Sequence, residues 1–154
     1  MNKKIPDYVG KQTIYNSNYN DDKVILWDVI KIKNKIRIKF KFISSNSPNR
    51  QGVHIGFYYN EGKVMINGNE GKYFDLWQDE CPQEFEIEAY SDNGYLSIYN
   101  IFEKVDWKGK RRYSQMPFSG MILEIKGNIY KYNCNDSELN TNFDDLIFEI
   151  KILE

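Results

Sequence analysis

Alanine occurs once in the chain, at Ala89. Alanine is the strongest helix former, whereas the abundant Ile, Tyr, Phe and Val suit a pleated surface. No segment sustains a 3.6-residue apolar period, so helices are not expected. Long apolar runs are missing too. Nothing approaches the roughly 20 residues of a spanning helix, and "MNKKIPDYVGKQTIYN" holds no apolar stretch of the signal-peptide kind. The expectation is a soluble cytoplasmic chain with no membrane partner. Cysteine is scarce: Cys81 and Cys134 stand far apart, without a CxxC. With one histidine, His54, they leave too few ligands for a structural zinc site. Free thiols fit a reducing compartment, though an even count also permits one disulfide. A surplus of charge is missing as well. Lys and Arg number 21 against 22 Asp and Glu, so no global field draws the chain to nucleic acid or anionic lipid. A local basic patch stays open. Neither a G-x-S-x-G elbow, a P-loop nor a GxGxxG is present.

What is present reads as strands. "KIRIKFKFI" (35–43) sets Ile36, Ile38, Phe40 and Phe42 on one face and Lys35, Arg37, Lys39 and Lys41 on the other. "EFEIEAY" (84–90) repeats the alternation with Glu84, Glu86 and Glu88 outward. The basic stripe is either a polyanion surface or half of a cross-strand ion ladder; the matching acidic stripe favours the ladder. Further strand candidates are 24–32, 53–59, 63–66, 72–77, 95–102, 120–125, 129–133 and 146–152. Turn-forming clusters separate them: "NSPNRQG", "NEG", "NGNEG", "SDNG" and "KGN". "SDNG" and "NEG" are read as hairpin turns. The expected fold is all-β, one antiparallel sandwich or jelly roll of nine or ten strands, in a single domain over residues 1–154. Residues 1–23 are expected to be a loose arm or an edge strand.

Four places hold chemistry. The first is "YNCNDSELNTNFDDLIFEIKI" (132–152), where Asn133, Asn135, Asp136, Glu138, Asn140, Asn142, Asp144 and Asp145 crowd the approach to the last strand. Calcium takes six to eight oxygen ligands, and Asn135, Asp136, Asp144 and Asp145 supply four. The spacing is not that of an EF-hand. The alternative is a turn capped by its own Asx bonds. The second place is His54, on a strand opposite the core face, the one residue that a Ser-His-Asp or Cys-His device would have to use. The third is "DLWQDECP" (75–82), with Asp75, Asp79 and Glu80 around Trp77. Paired carboxylates hydrolyse glycosides, and a Trp face stacks on sugars; packing at a sheet edge accounts for them equally. The fourth is the basic segment "DWKGKRRYSQ" (106–115), read as a loop. It carries Lys108, Lys110, Arg111 and Arg112 between Trp107 and Tyr113, a pattern that holds phosphates or single strands, or simply a solvated loop.

"LWQDECP" (76–82), "GYLSIYNIF" (94–102), "GMILEI" (120–125) and "YNCNDSELNTNFDDLIFEI" (132–150) together resemble the pattern of an uncharacterised bacterial family, over about half the chain. That resemblance implies no activity. The closing segment also resembles calcium-associated β-sandwich modules in which a carboxylate-rich loop runs into the last strand. It departs from them in having "SELNT" where small residues are usual. The module resemblance implies calcium at the C-terminal loop.

The combined expectation is a non-catalytic binding or interaction protein with a calcium-ordered C-terminal loop. Its partner is a protein or a small anionic or carbohydrate ligand, and nucleic acid is disfavoured. One alternative is an anion- or protein-binding regulator of the immunity type working through residues 106–115. Another is a carboxylate hydrolase centred on Asp79, Glu80 and the C-terminal aspartates.

Overall fold

The computed structural model describes residues 10–11, 24–57, 61–116, 118–137 and 142–153, and none of these is helical. In chain order the strands are β1 (Gly10–Lys11), β2 (Val24–Lys31), β3 (Lys35–Ser45), β4 (Arg50–Phe57), β5 (Gly62–Ile66), β6 (Asn69–Gly71), β7 (Tyr73–Trp77), β8 (Glu84–Ser91), β9 (Tyr95–Asp106), β10 (Gly109–Tyr113), β11 (Gly120–Lys126), β12 (Ile129–Asn135) and β13 (Leu146–Ile152). All pairings are antiparallel. One ladder runs β6-β5-β8-β3-β13-β12-β11-β2-β9-β4-β7, with β1 added to β2 and β10 to β9. Its ends return towards each other, β5 lying against β4 and β7, so the sheet is a nearly closed barrel.

The all-β antiparallel expectation holds, but the sandwich of nine or ten strands does not describe this closure. The reason lies in β2. Val24 and Ile25 pair with β11, and Asp28 to Lys31 pair with β9. One strand thus carries the ladder around a corner where a sandwich would break into two sheets. The unexpected strands β6 and β10 have three and five residues, too few alternations to read from sequence. Gly10 and Lys11 make a short edge on β2; the rest of residues 1–23 lies outside the described residues.

The interior is built from the alternating faces. Ile36, Ile38, Phe40 and Phe42 are buried, and Ile87 and Ala89 meet them from β8. Phe40 stacks on Phe148, which stacks on Tyr132. Tyr132 is fully buried, and its hydroxyl donates to Asp28 Oδ2 at 2.6 Å. Outside, the two charged stripes meet. Arg37 lies opposite Glu88, Lys39 opposite Glu86 and Lys41 opposite Glu84. The ion pairs run diagonally: Lys35–Glu88 at 3.7 Å, Arg37–Glu86 at 3.6 Å and Lys39–Glu84 at 3.6 Å. Such exposed pairs contribute about 0.2–1 kcal/mol each and mainly set register.

The turns divide differently from expectation. "SDNG" does not close a hairpin, because β8 pairs with β3 and β5 while β9 pairs with β2, β4 and β10. Its backbone bonds go to the β2–β3 turn instead: Ser91 N donates to Asn34 O, Asn93 N to Lys33 O, and Ile32 N to Gly94 O. In "NEG", Asn60 lies outside the described residues, and β4 and β5 do not pair. The tight hairpins are elsewhere. Asn67 (φ 53°) and Gly68 (φ 78°) join β5 to β6 in the doubly left-handed geometry that matches strand twist. Gly127 (φ 61°) turns β11 into β12. Trp107 and Lys108 turn β9 into β10.

Candidate functional site

The basic segment is a strand and a turn, not a loop. Gly109 to Tyr113 pair in register with Asp106 to Phe102, because Val105, Arg111 and Tyr113 suit an extended chain and Gly109 accepts φ 109°. β4 accompanies β9 only as far as Glu103, opposite Arg50. Beyond it, among the described residues, Lys104, Val105 and Asp106 pair with β10 alone. The ribbon therefore runs past the barrel wall. At its tip Trp107 is 88% exposed and Val105 74% exposed. The Lys108 ammonium sits 4.8 Å from the Trp107 ring centre.

The basic residues of this segment have different partners. Asp106 accepts from Lys108 N at 2.8 Å and from the Tyr113 hydroxyl at 3.2 Å, and lies 3.8 Å from Arg111. Arg112 reaches back over the sheet. Its Nε and Nη2 donate to Asp75 Oδ2 and Oδ1 at 2.8 and 3.1 Å. His54 Nδ1 lies 2.7 Å from Asp75 Oδ1. An ionised carboxylate only accepts, so Nδ1 carries the proton. The His54 ring is stacked between Tyr73 and Tyr99, at 5.3 and 4.6 Å. Burial opposes the Asp75 charge, yet the bonds from His54 and Arg112 outweigh it and hold the carboxyl below its usual range. Glycines flank His54 along β4 because the neighbouring strand crowds them. A Cβ at Gly56 would collide with Tyr73 Cβ, and one at Gly52 would come within 2.9 Å of the Trp77 ring. Among the described residues His54 bonds to no serine or cysteine. The arrangement clamps β10 onto β7 across β9 and β4.

Asp79 and Glu80 are also engaged. Arg50 Nε donates to both Asp79 oxygens at 2.9 and 3.0 Å, and Nη2 donates to Glu80 at 2.7 Å. The guanidinium lies 4.3 Å from the Trp77 ring centre, so it covers part of the face that a sugar would stack on. Cys81 and Cys134 are both free thiols, and burial raises both above the ordinary thiol value.

The oxygen-rich segment is buried at its base. Asn135 and Asp136 are fully buried and Asp145 is 5% exposed. Asp136 Oδ2 accepts from Ser47 Oγ at 2.7 Å, Asn49 Nδ2 at 3.1 Å and Gln51 Nε2 at 3.1 Å. Asp136 N donates to Asp145 Oδ2 at 2.9 Å. Asn46 Nδ2 donates to Asp144 Oδ2 at 3.0 Å, while Asp144 Oδ1 is buried with no partner among the described residues. Burial, helped by the Asp136 and Asp144 charges and opposed by the Asp136 N–H, raises Asp145 to about 7. Asp136 thus gathers three neutral donors, and burial beside it favours the protonated form of Asp145. Among the described residues no three His, Cys, Asp or Glu side chains are grouped to hold a metal. Asn135 Nδ2 donates to Phe118 O at 3.0 Å. Glu138 and Asn140 lie outside the described residues.

Sequence reasoning missed Ser47, Asn49 and Gln51 as partners of Asp136. One signal was available. Gln51 sits on the core face of β4 with Val53, Ile55 and Phe57, and a polar residue there needs a buried partner. The chain matches no protein-family model, no curated protein and no solved structure.

Proposed function

We propose that this chain is a non-catalytic interaction module whose recognition element is the β9–β10 hairpin. The observation that carries the reading is the exposed Trp107 and Val105 beside lysines on a ribbon that runs past the barrel. A hairpin tip held from behind by Arg112 and Asp75 presents its side chains with little loss of freedom on binding. Lys108 and Lys110 form no ion pair among the described residues, so an anionic partner is the natural complement. The test is retention on a polyanion such as heparin at low salt. Retention should fall with salt by counterion release and be lost in Lys108→Glu/Lys110→Glu. No retention at low salt would overturn the reading.

A second reading is a calcium-ordered C-terminal loop. Its support is Asp144 Oδ1, without a partner among the described residues, beside a carboxyl raised to about 7, together with the resemblance to calcium-associated modules. The available residues fit in part, since one oxygen each of Asp136, Asp144 and Asp145 already accepts a hydrogen bond. Calcium at a hundredfold over Kd should then add about 2.7 kcal/mol of stability in the wild type and nothing in Asp144→Asn. A melting temperature unmoved by calcium above pH 8 would leave the cluster to protons and hydrogen bonds alone.

A further inference from the structure

We infer that the hairpin tip docks on an anionic phospholipid surface, with Trp107 and Val105 entering the headgroup boundary. The inference rests on the hairpin being the recognition element and names what it recognises. Residues 104 to 111 carry four basic side chains, Lys104, Lys108, Lys110 and Arg111, against Asp106 alone. Asp106 is occupied by the Lys108 N–H and the Tyr113 hydroxyl. Lys104 Nζ donates to Ser137 Oγ at 2.9 Å, which holds the base of the ribbon and leaves the tip to Lys108 and Lys110.

Three features favour a bilayer over other anionic partners. First, the apolar part is confined to one turn. A stable protein interface engages about 20–30 residues on each side, far more than this tip offers. A bilayer interface accepts a single Trp flanked by Lys, because the indole settles at headgroup depth and needs no complementary shape. Second, Val105 and Trp107 are both exposed where the ribbon, among the described residues, pairs with no strand but its own partner. A nucleic acid would use the Trp face and the lysines but gain nothing from Val105. Third, Lys108 stacks on the Trp107 ring, so the ammonium is held where phosphates lie once the indole enters the boundary. The chain is near neutral overall, so attraction to the surface comes from this end of the molecule alone.

The experiment uses the full chain with vesicles of phosphatidylcholine, with and without about a third phosphatidylserine, and reads binding by flotation. Binding is expected only with phosphatidylserine and is weakened by salt. Lys108→Glu/Lys110→Glu should lower it at least twentyfold, from about fivefold per basic residue near an anionic surface. Acyl-brominated lipid should quench part of the tryptophan emission in the wild type and none of it in Trp107→Phe. Thermal melting shows that each variant is folded. Heparin retention without any vesicle binding would overturn the lipid inference and keep the hairpin reading. Loss of both would overturn both. Vesicle binding with no Trp107 quenching would overturn insertion of the tip.

Discussion

Replacing Asp145 by Asn should flatten the dependence of stability on pH between about 4 and 8. Asp145 titrates near 3.8 when unfolded and at about 7 when folded. A carboxyl whose folded value is raised stabilises the fold fully below the unfolded value. That contribution fades as pH climbs and is gone once pH passes the folded value. The interval corresponds to about 4 kcal/mol at 1.36 kcal/mol per pH unit. Local relaxation on ionisation reduces it, so roughly 2–4 kcal/mol is expected. Asparagine keeps an oxygen for the Asp136 N–H and cannot ionise. The variant should therefore match or fall below the wild type at pH 4.5 and exceed it at pH 8. For a chain of this size each kcal/mol moves the melting temperature by about 2–4 °C, so the crossing is measurable by thermal melts across pH. Asp28, which burial also raises, contributes its own slope to both proteins and cancels in the difference. Parallel pH curves for the two proteins would refute the raised titration of Asp145.

Other expectations follow from single contacts. Converting Lys35, Arg37 and Lys39 to Glu should cost about 1–3 kcal/mol in denaturant melts. Adding Glu84, Glu86 and Glu88 to Lys should restore part of it, since the stripes are cross-strand neighbours; simple additivity would contradict the pairing. Arg112→Ala should cost about 1.5–3 kcal/mol, because it leaves the half-buried Asp75 with His54 alone. Asp75→Asn in that background should then cost much less than it does alone, and an undiminished cost would rule out the clamp. Stability owed to Asp75 should fade as pH drops through its lowered folded value. Tyr132→Phe should cost about 1–3 kcal/mol by stripping Asp28 of its hydroxyl donor. A neutral result in equilibrium unfolding would mean that Asp28 finds another partner.

The core of the fold was legible where alternation was long. β3 and β8 have seven paired positions with charge outside and apolar groups inside, and their sequences predict both burial and partnership. "SDNG" was misread for a reason of the same kind. Turn chemistry reports that the chain bends, while pairing is decided by where the flanking strands find ladder partners. β8 found β3 and β5, and β9 found β2 and β4. The sequence around Ser91 to Gly94 fits the corner as well as it fits a hairpin, because Asn93 takes φ 70° here and tight hairpin turns need the same left-handed conformation. Barrel closure was illegible because it depends on β2 dividing its length between two neighbours, which leaves no compositional trace.

The candidate site was legible as residue types but not as partnerships. Trp107, Lys108 and Lys110 look alike on a loop and on a ribbon, and only the folded ribbon separates the tip lysines from the arginines that pair with Asp106 and Asp75. Arg111 and Arg112 are adjacent in sequence and point to opposite faces of β10, one towards Asp106 and one towards Asp75. A basic cluster on a strand is therefore divided between two faces, Lys110 and Arg112 on one and Arg111 on the other. On the Asp75 face Arg112 belongs to the scaffold, while Lys110, opposite Val105, lies nearer the tip. What remains for a partner is the tip, and its chemistry is an indole, a valine and two ammonium groups. The same division applies at the C-terminal aspartates. Asp136 faces in and is satisfied by donors from the β3–β4 connection and the first residues of β4, while Asp144 keeps one oxygen without a partner among the described residues. Where a cluster has answered its own charges it is architecture, and the oxygens and ammoniums left over are where a ligand has something to gain.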